Sequence, residues 1–260
     1  MQKEISTVII GGSYFAMGYA SAHADCMVLE SSQILGIDFH RGLRTADLSD
    51  VSTEEADTEP GKLFAEHRVW QSGKFDILKA APVLHAYCNQ NNLKVTLDAK
   101  LLAAEKESGG YMVRYITNSG IHEIHCRKLL DATVLRDTYR EGAVCRTKTL
   151  NMFTVCVGEG FDDKLKKVAP DCRIEEGMNQ GERIVKIPFR PDEKISRAYE
   201  SVTGIWKKAF PRGEEKILFL AQDFDYSCDS TDEENAPCPW VGAIFSNPLS
   251  AFAAGREYEL

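Results

Sequence analysis

The sequence predicts an α/β chain in which a Rossmann-like parallel sheet carries an inserted antiparallel β-meander and is joined to a small α+β second lobe. Three observations predict it. An apolar run, Val8 to Ile10, enters a glycine turn, small residues follow at helical spacing, and a second apolar run spans Cys26 to Leu29. Tight glycine turns, Ser108-Gly109-Gly110 and Asn118-Ser119-Gly120, separate short strand-like segments. Residues 144–215 then change character, with short strands and helices punctuated by Pro188, Pro191 and Pro211. Apolar run, glycine turn, helix and second apolar run make a βαβ unit with parallel strands, and glycine turns between strand-like runs are hairpin signals.

The first unit has the order of parts of a nucleotide-binding motif. Gly11 makes the tight turn, and the helix start offers N–H groups and the positive end of a dipole to a pyrophosphate. Glu30, nineteen positions after Gly11, can accept hydrogen bonds from an adenosine ribose. Read as G-x-G-x-x-G, the three positions are Gly11, Ser13 and Ala16, with Gly12, Tyr14 and Phe15 between them. Ser13 brings a small hydroxyl to the place where backbone meets pyrophosphate, and Ala16 is an accepted third residue. The same pattern without a ligand is a buried parallel strand and its crossover helix.

The remaining elements follow in order. Ser31 to Gly42 is a glycine-punctuated loop, and Asp47 to Gly61 an acidic, helix-breaking surface excursion. Phe75 to Asn91 has helical periodicity, with Pro82 expected to kink it or mark a boundary. Lys94 to Leu97 is a short strand; Lys100 to Glu105, Tyr111 to Thr117 and Ile121 to Cys126 form the meander; Lys128 to Thr133 returns as a buried strand with a polar tip. In the second lobe Val144 to Val157 and Arg183 to Phe189 read as strands, and Asp162 to Ala169 and Asp192 to Phe210 as helices. Lys216 to Ala221 is another apolar strand, Asp223 to Glu234 an acidic, solvated loop, and a last helix opens near Asn247-Pro248, where the missing N–H of proline is harmless. This divides the chain into a dinucleotide-binding domain, 1–143 with 216–260, and a small substrate or cap lobe, 144–215.

Composition narrows the function classes. The 260 residues are 27% charged and 43% hydrophobic, ordinary globular usage, and the net charge of −8 argues against nucleic acid or an anionic membrane as partner. The first apolar run is short and broken by Gly11, Gly12 and Ser13, so it reads neither as a signal peptide nor as a spanning helix, and the expected compartment is the cytoplasm. Eight singly placed cysteines without a C-x-x-C pair read as mostly reduced, small buried hydrophobes, with Cys228 and Cys238 the one pair that could close a loop. No metal is expected: His122 and His125, three apart on a strand, point to opposite faces, and the acidic loop lacks the central glycine of a calcium loop. Trp206 reads as helix packing.

Four places, Val8 to Glu30, the Leu35-Gly36 loop, Phe75 to Thr133 and Phe245 to Gly255, together resemble the two-domain FAD-dependent oxidoreductases of the glutathione-reductase-like flavoprotein class. The resemblance spans most of the chain. It implies an FAD pyrophosphate cradled by Gly11, Gly12, Ser13, Tyr14, Phe15 and Ala16, and an adenosine ribose held by Glu30 beside Ser31. It implies adenine read through the backbone at Leu101, and a cofactor-side loop carrying Gly36 and Arg41. A second turn near the dinucleotide is implied at Ala132 and Thr133, and a final helix, entered through Phe245, Asn247, Pro248 and Leu249, whose N–H groups face the flavin pyrimidine edge. The sequence departs from the class at Val134 and Ile37, where glycine is usual, and it has no second glycine fingerprint and no redox cysteine pair, which excludes a disulfide reductase. The implied function is a flavoprotein oxidoreductase acting on a small molecule; a degenerate, non-catalytic dinucleotide-binding protein and an NAD-binding dehydrogenase are the alternatives. His40, Arg41 and Arg44 are the candidates near the substrate face, either arginine able to pair with a carboxylate or the pyrophosphate. No catalytic base stands out. So small a second lobe leaves room for a second copy of the chain to complete the pocket.

Overall fold

The computed structural model describes residues 5–46, 51–71, 73–135, 147–155, 157–227 and 241–260. β1 (Ile5–Ile10) turns at Gly11 into α1 (Tyr14–Ala22), which returns to β2 (Cys26–Leu29). Ser13 caps α1, its hydroxyl accepting the Ala16 N–H at 3.1 Å. The chain then makes α2 (Ile37–His40), α3 (Thr53–Ala56), α4 (Glu59–Glu66), the hairpin pair β3 (Trp70–Gln71) and β4 (Lys74–Phe75), and α5 (Ile77–Gln90). Next come β5 (Val95–Thr96), β6 (Lys100–Glu107), β7 (Gly110–Thr117) and β8 (Gly120–Asp131).

The larger sheet has the order β5-β2-β1-β8-β7-β6, parallel from β5 to β8 and antiparallel through the meander. The meander and the return strand, expected as separate, share one continuous strand. The first half of β8 pairs with β7 and its second half with β1, the changeover falling at Cys126. Alternation along β1 sends Ile9 to the helical side, with Val28 and Leu130, and Val8 and Ile10 to the meander side, with Val113 and Tyr115.

Three local expectations are corrected. The excursion after Asp47 holds two helices. Ser52 and Glu55 form a reciprocal capping box for α3, and Thr58 caps α4, so the acids lie in first turns where the helix dipole favours them. Asp47 itself lies outside the described residues. The loop after Ser31 contains α2, one turn entered from Gly36 with left-handed backbone (φ 75°) and held by buried Ile37 and Phe39. Pro82 does not end α5: Asp76 caps the helix through the Leu78 and Lys79 N–H groups, and in its second turn proline removes only the bond to Leu78's carbonyl.

The second sheet is built on β9 (Thr147–Thr154). After β9 come α6 (Phe161–Val168), β10 (Arg173–Glu176), β11 (Arg183–Phe189), α7 (Ile195–Ala209), β12 (Phe219–Leu220) and β13 (Asp225–Ser227). The order is β10-β11-β9-β12, with β13 also on β9. Residues 219–227, placed with the first domain by the sequence division, therefore pair in this sheet, and the start of the acidic loop is a strand. α7 buries Ala198, Val202, Trp206 and Ala209, and Trp206 packs edge-on against Phe161 and tilted against Phe210 while its indole N–H donates to the Glu215 carbonyl. α8 (Pro248–Glu257), capped by Asn247, returns to the first sheet and crosses α1 at two glycines. A Cβ on Gly18 would lie 2.0 Å from the Phe252 carbonyl, and one on Gly255 2.1 Å from that of Phe15.

Cys26, Cys88, Cys126 and Cys172 are buried free thiols; Cys145, Cys156, Cys228 and Cys238 lie outside the described residues. His122 bonds Thr117 and Ser119 and stacks on Tyr115, whereas His125 pairs with Glu107. Among the described residues no helix is long and apolar enough to cross a membrane.

Candidate functional site

The strands β1, β2 and β8 end on the same side of the sheet, and a cavity of about 450 Å³ opens there. Crevices at the carboxyl ends of parallel strands are where open α/β sheets take ligands, and this volume is in the range of small-molecule sites. Ile10, Gly11, Leu29, Glu30 and Ser31 form one wall, Ala99 to Leu102 the second, and Thr133 to Leu135 the third; Ile37, Arg41 and Asp223 close it.

Gly11 sits at φ +96° with its Cα against the turn after β8, where a Cβ would lie 2.6 Å from the Ala132 carbonyl oxygen. That is a double requirement for glycine, conformational and steric. Ala132 N–H bonds the Ile10 carbonyl, and Thr133 donates its N–H and hydroxyl to Asp131, so the Ala132-Thr133 turn is fixed against the glycine turn. Val134, where the resembled class has glycine, turns its carbonyl toward Gly242, whose missing Cβ leaves room for it.

Glu30 is fully buried. One carboxylate oxygen accepts the Gly12 N–H at 2.6 Å and the other the Ser32 N–H at 2.7 Å. A carboxylate offers about four acceptor positions; the Ser31 hydroxyl lies 3.4 Å from the oxygen that accepts the Ser32 N–H, and the oxygen that accepts the Gly12 N–H keeps capacity for a ribose hydroxyl. Its backbone is pinned on both sides, N–H to Thr96 and carbonyl to Ala99. On the second wall the β6–β7 register slips between Leu101 and Ala103, placing Leu102 as a bulge. Such a bulge leaves a residue unpaired in the ladder, and Leu101 and Leu102 both line the cavity.

Residues expected at the cofactor divide into three groups. Gly11, Glu30, Ser31, Arg41, Leu101 and Thr133 line the cavity. Gly12, Ser13, Tyr14 and Gly36 form the turn behind it, where Gly36 N–H bonds the Gly12 carbonyl at 2.6 Å; Ala132 backs onto Gly11. Phe15 and Ala16 are buried in α1, Phe245 stacks on Phe15 with ring centres 5.8 Å apart, and buried Asn247, Pro248 and Leu249 begin α8 without lining the cavity. Ser13 N–H and Phe15 N–H have no hydrogen-bond partner among the described residues, and both lie at the start of α1.

The three substrate-side candidates separate. Arg41 reaches the cavity and faces Asp223 at 3.7 Å, and its carbonyl accepts the Gln222 and Asp223 N–H groups. Arg44 lies over the Phe39 ring and pairs with Asp225 at 3.4 Å, so it ties the loop to β13. His40 is turned inward, its Nε2 without a partner among the described residues, and burial beside His85 lowers its pKa to about 4. The sequence did not single out Asp38. Its carboxylate is 4% exposed and accepts the Tyr14 N–H at 3.1 and 3.3 Å; burial raises its pKa to about 7. It meets α1 from 24 positions away, and no local pattern announces such a contact.

Gly11 without a Cβ, a buried acid at the end of β2, the bulge at Leu102 on the cavity wall and two unpartnered amides at the helix start together fit the adenosine and pyrophosphate of FAD. No protein-family model matches the sequence, and no curated protein matches it. Among solved structures, the chain is similar to p-nitrophenol 4-monooxygenase PnpA from Pseudomonas putida DLL-E4, with TM-score 0.56 and 11% identity over 87% of this chain and 68% of that one. It is similar to a flavoprotein/dehydrogenase from Cytophaga hutchinsonii, with TM-score 0.58 and 14% identity over 98% of this chain and 76% of that one. It is also similar to aklavinone-11 hydroxylase, solved with FAD and aklavinone, with TM-score 0.50 and 12% identity over 87% of this chain and 54% of that one. The chain has a flavoprotein fold. It spans about half to three quarters of the length of these proteins.

Proposed function

We propose that this flavoprotein fold belongs to an FAD-dependent oxidoreductase acting on a small molecule. The observation that carries the reading is the cavity at the carboxyl ends of β1, β2 and β8, bounded by the Gly11 turn on one side and by buried Glu30 on the other. In this reading Glu30 holds the adenosine ribose, backbone at Leu101 and Leu102 meets the adenine, and the Ser13 and Phe15 amides receive the pyrophosphate. The bound flavin supplies the redox chemistry. The chain's own task is to orient the substrate and exclude water, and Arg41, with its counter-charge Asp223, is a cation at the cavity that can orient an anionic substrate. The finer placement is in the glutathione-reductase-like class, with a first domain around the larger sheet and a cap built on β9. The similar monooxygenase and hydroxylase support a flavoprotein of the hydroxylase kind equally well.

The test is the visible spectrum of protein purified without added cofactor, followed by heat release and identification of any chromophore. Flavin at near one per chain is the expected result. A colourless protein that also refuses added FAD overturns the reading in favour of a degenerate module, with NAD binding the next assay.

A further inference from the structure

We propose that Asp38 is a built-in competitor for the cofactor's pyrophosphate, occupying the first amide of α1 until an incoming phosphate displaces its carboxylate. The inference rests on the FAD reading above and adds to it a charge exchange at the glycine turn. The N–H groups at the start of a helix are unsatisfied donors at the positive end of a dipole, the place an anion seeks. Here two of them are already engaged by the chain itself, Ala16 N–H by the Ser13 hydroxyl and Tyr14 N–H by both oxygens of Asp38, and the Gly12 N–H just before the cap is held by Glu30. Glu30 belongs to the ribose side and can keep its bond when a nucleotide is present. Asp38 cannot share its donor so readily, because a pyrophosphate spanning the Ser13 and Phe15 amides would bring a second anion against its carboxylate.

The surroundings of Asp38 make the exchange feasible. From α1 it faces the Tyr14 amide and the Tyr14 ring, whose hydroxyl is buried without a partner among the described residues. From the turn after α2 it faces Arg44, the cation near it, but that guanidinium is committed to Asp225 of β13 and the Gly242 carbonyl. Cys88 of α5 acts on Tyr14 rather than on the carboxyl, its thiol held neutral by burial that lifts its pKa to about 12. His40, on the same helical turn, is kept neutral by burial and faces His85. With desolvation dominating and one distracted cation, the Asp38 carboxyl binds a proton near pH 7. Protonation removes the repulsion, so phosphate binding and proton uptake are linked: the fraction of chains ready for the cofactor rises as the solution is acidified through about pH 7 and levels off near about pH 6.

The experiment titrates the full chain, stripped of cofactor, and its Asp38→Asn variant with FAD, ADP and adenosine at pH 6, 7 and 8, with calorimetry in two buffers of different ionisation enthalpy to count protons. The expected result is wild-type affinity for FAD and ADP that weakens about fivefold between pH 7 and 8, as the protonated fraction falls from about one half to about one in ten. Proton uptake should approach one per ligand at pH 8, Asp38→Asn should bind both about tenfold more tightly than wild type at pH 8 with a flat profile, and adenosine should be indifferent to the variant. Wild type without pH dependence, or a variant that binds ADP no better, overturns the proposal. ADP following the expected pattern while FAD fails to bind upholds the competitor and removes the flavin reading. No binding of FAD or ADP by either protein overturns both. Should Asp38→Asn not fold, proton uptake by wild type decides the matter.

Discussion

At the scale of single residues, the site depends on two positions that tolerate little. Gly11→Val would place a β-branched side chain at φ +96° and 2.6 Å from the Ala132 carbonyl, so the expected loss is on the order of 3 kcal/mol in urea denaturation, together with any bound flavin. Glu30→Ala leaves the Gly12 and Ser32 amides without their acceptor, an expected cost of about 1–3 kcal/mol, and releases flavin; Glu30→Gln should recover much of the stability and little of the binding. Flavin retained at full occupancy by both Gly11→Val and Glu30→Ala would remove the site assignment. His40 gives a pH signature. Its pKa is depressed from 6.5 to about 4, so the unfolded chain takes up a proton that the fold refuses between those values. The resulting stability is full above about pH 6.5 and is lost as pH falls toward 4. His40→Gln should therefore gain on wild type by more than about 1 kcal/mol between pH 7 and 4.5, measured by paired thermal melts. The residues legible in the sequence were those whose place is local: Gly11 in its turn and Glu30 at a strand end, whereas the capping bond of Ser13 emerged only from the fold. Asp38 was not, because its meaning comes from an amide 24 positions away and from burial supplied by the rest of the fold.

Among elements, the α1–α8 crossing is the tightest joint. Each helix lays a glycine on the other's backbone, so Gly18→Ala or Gly255→Ala must push the helices apart, at an expected cost of about 1–3 kcal/mol. A melting temperature unchanged in both variants would show that the crossing has slack. Strands and hairpins with their own punctuation were readable: β7 and β11 lie where the turns and alternation put them, within a residue at each end. α3 and α4 were hidden because their acids looked like solvated loop, although Ser52 and Glu55 carry the S-x-x-E spacing of a capping box. The bulge at Leu102 has no sequence signature at all, since the register slip depends on how β6 meets β7.

Across the whole molecule, the larger sheet and the second sheet are coupled by a partly buried ionic group. Asp225 of β13 pairs with Arg44 and lies 4.0 Å from Lys186 of β11, and Asn151 of β9 donates to Asp225 and to the Gly42 carbonyl. Asp225→Ala takes the carboxylate from half-buried Arg44 while Lys186 keeps Glu175 at 3.0 Å, so a loss of about 1–3 kcal/mol is expected, with earlier cleavage between the sheets in limited proteolysis. β12 and β13 are too short for the sequence to declare which sheet they join, and that membership is seen only in their pairing with β9. The double membership of β8 also orders events in time. A chain emerging from the ribosome can close the two-residue hairpins of β6, β7 and β8 as they appear, but β1 waits for a neighbour that arrives more than a hundred residues later, and α1 for a helix at the far end of the chain. Until then the apolar edge of β1 is an open template, and nascent chains halted before Asp131 are the ones expected to recruit a chaperone.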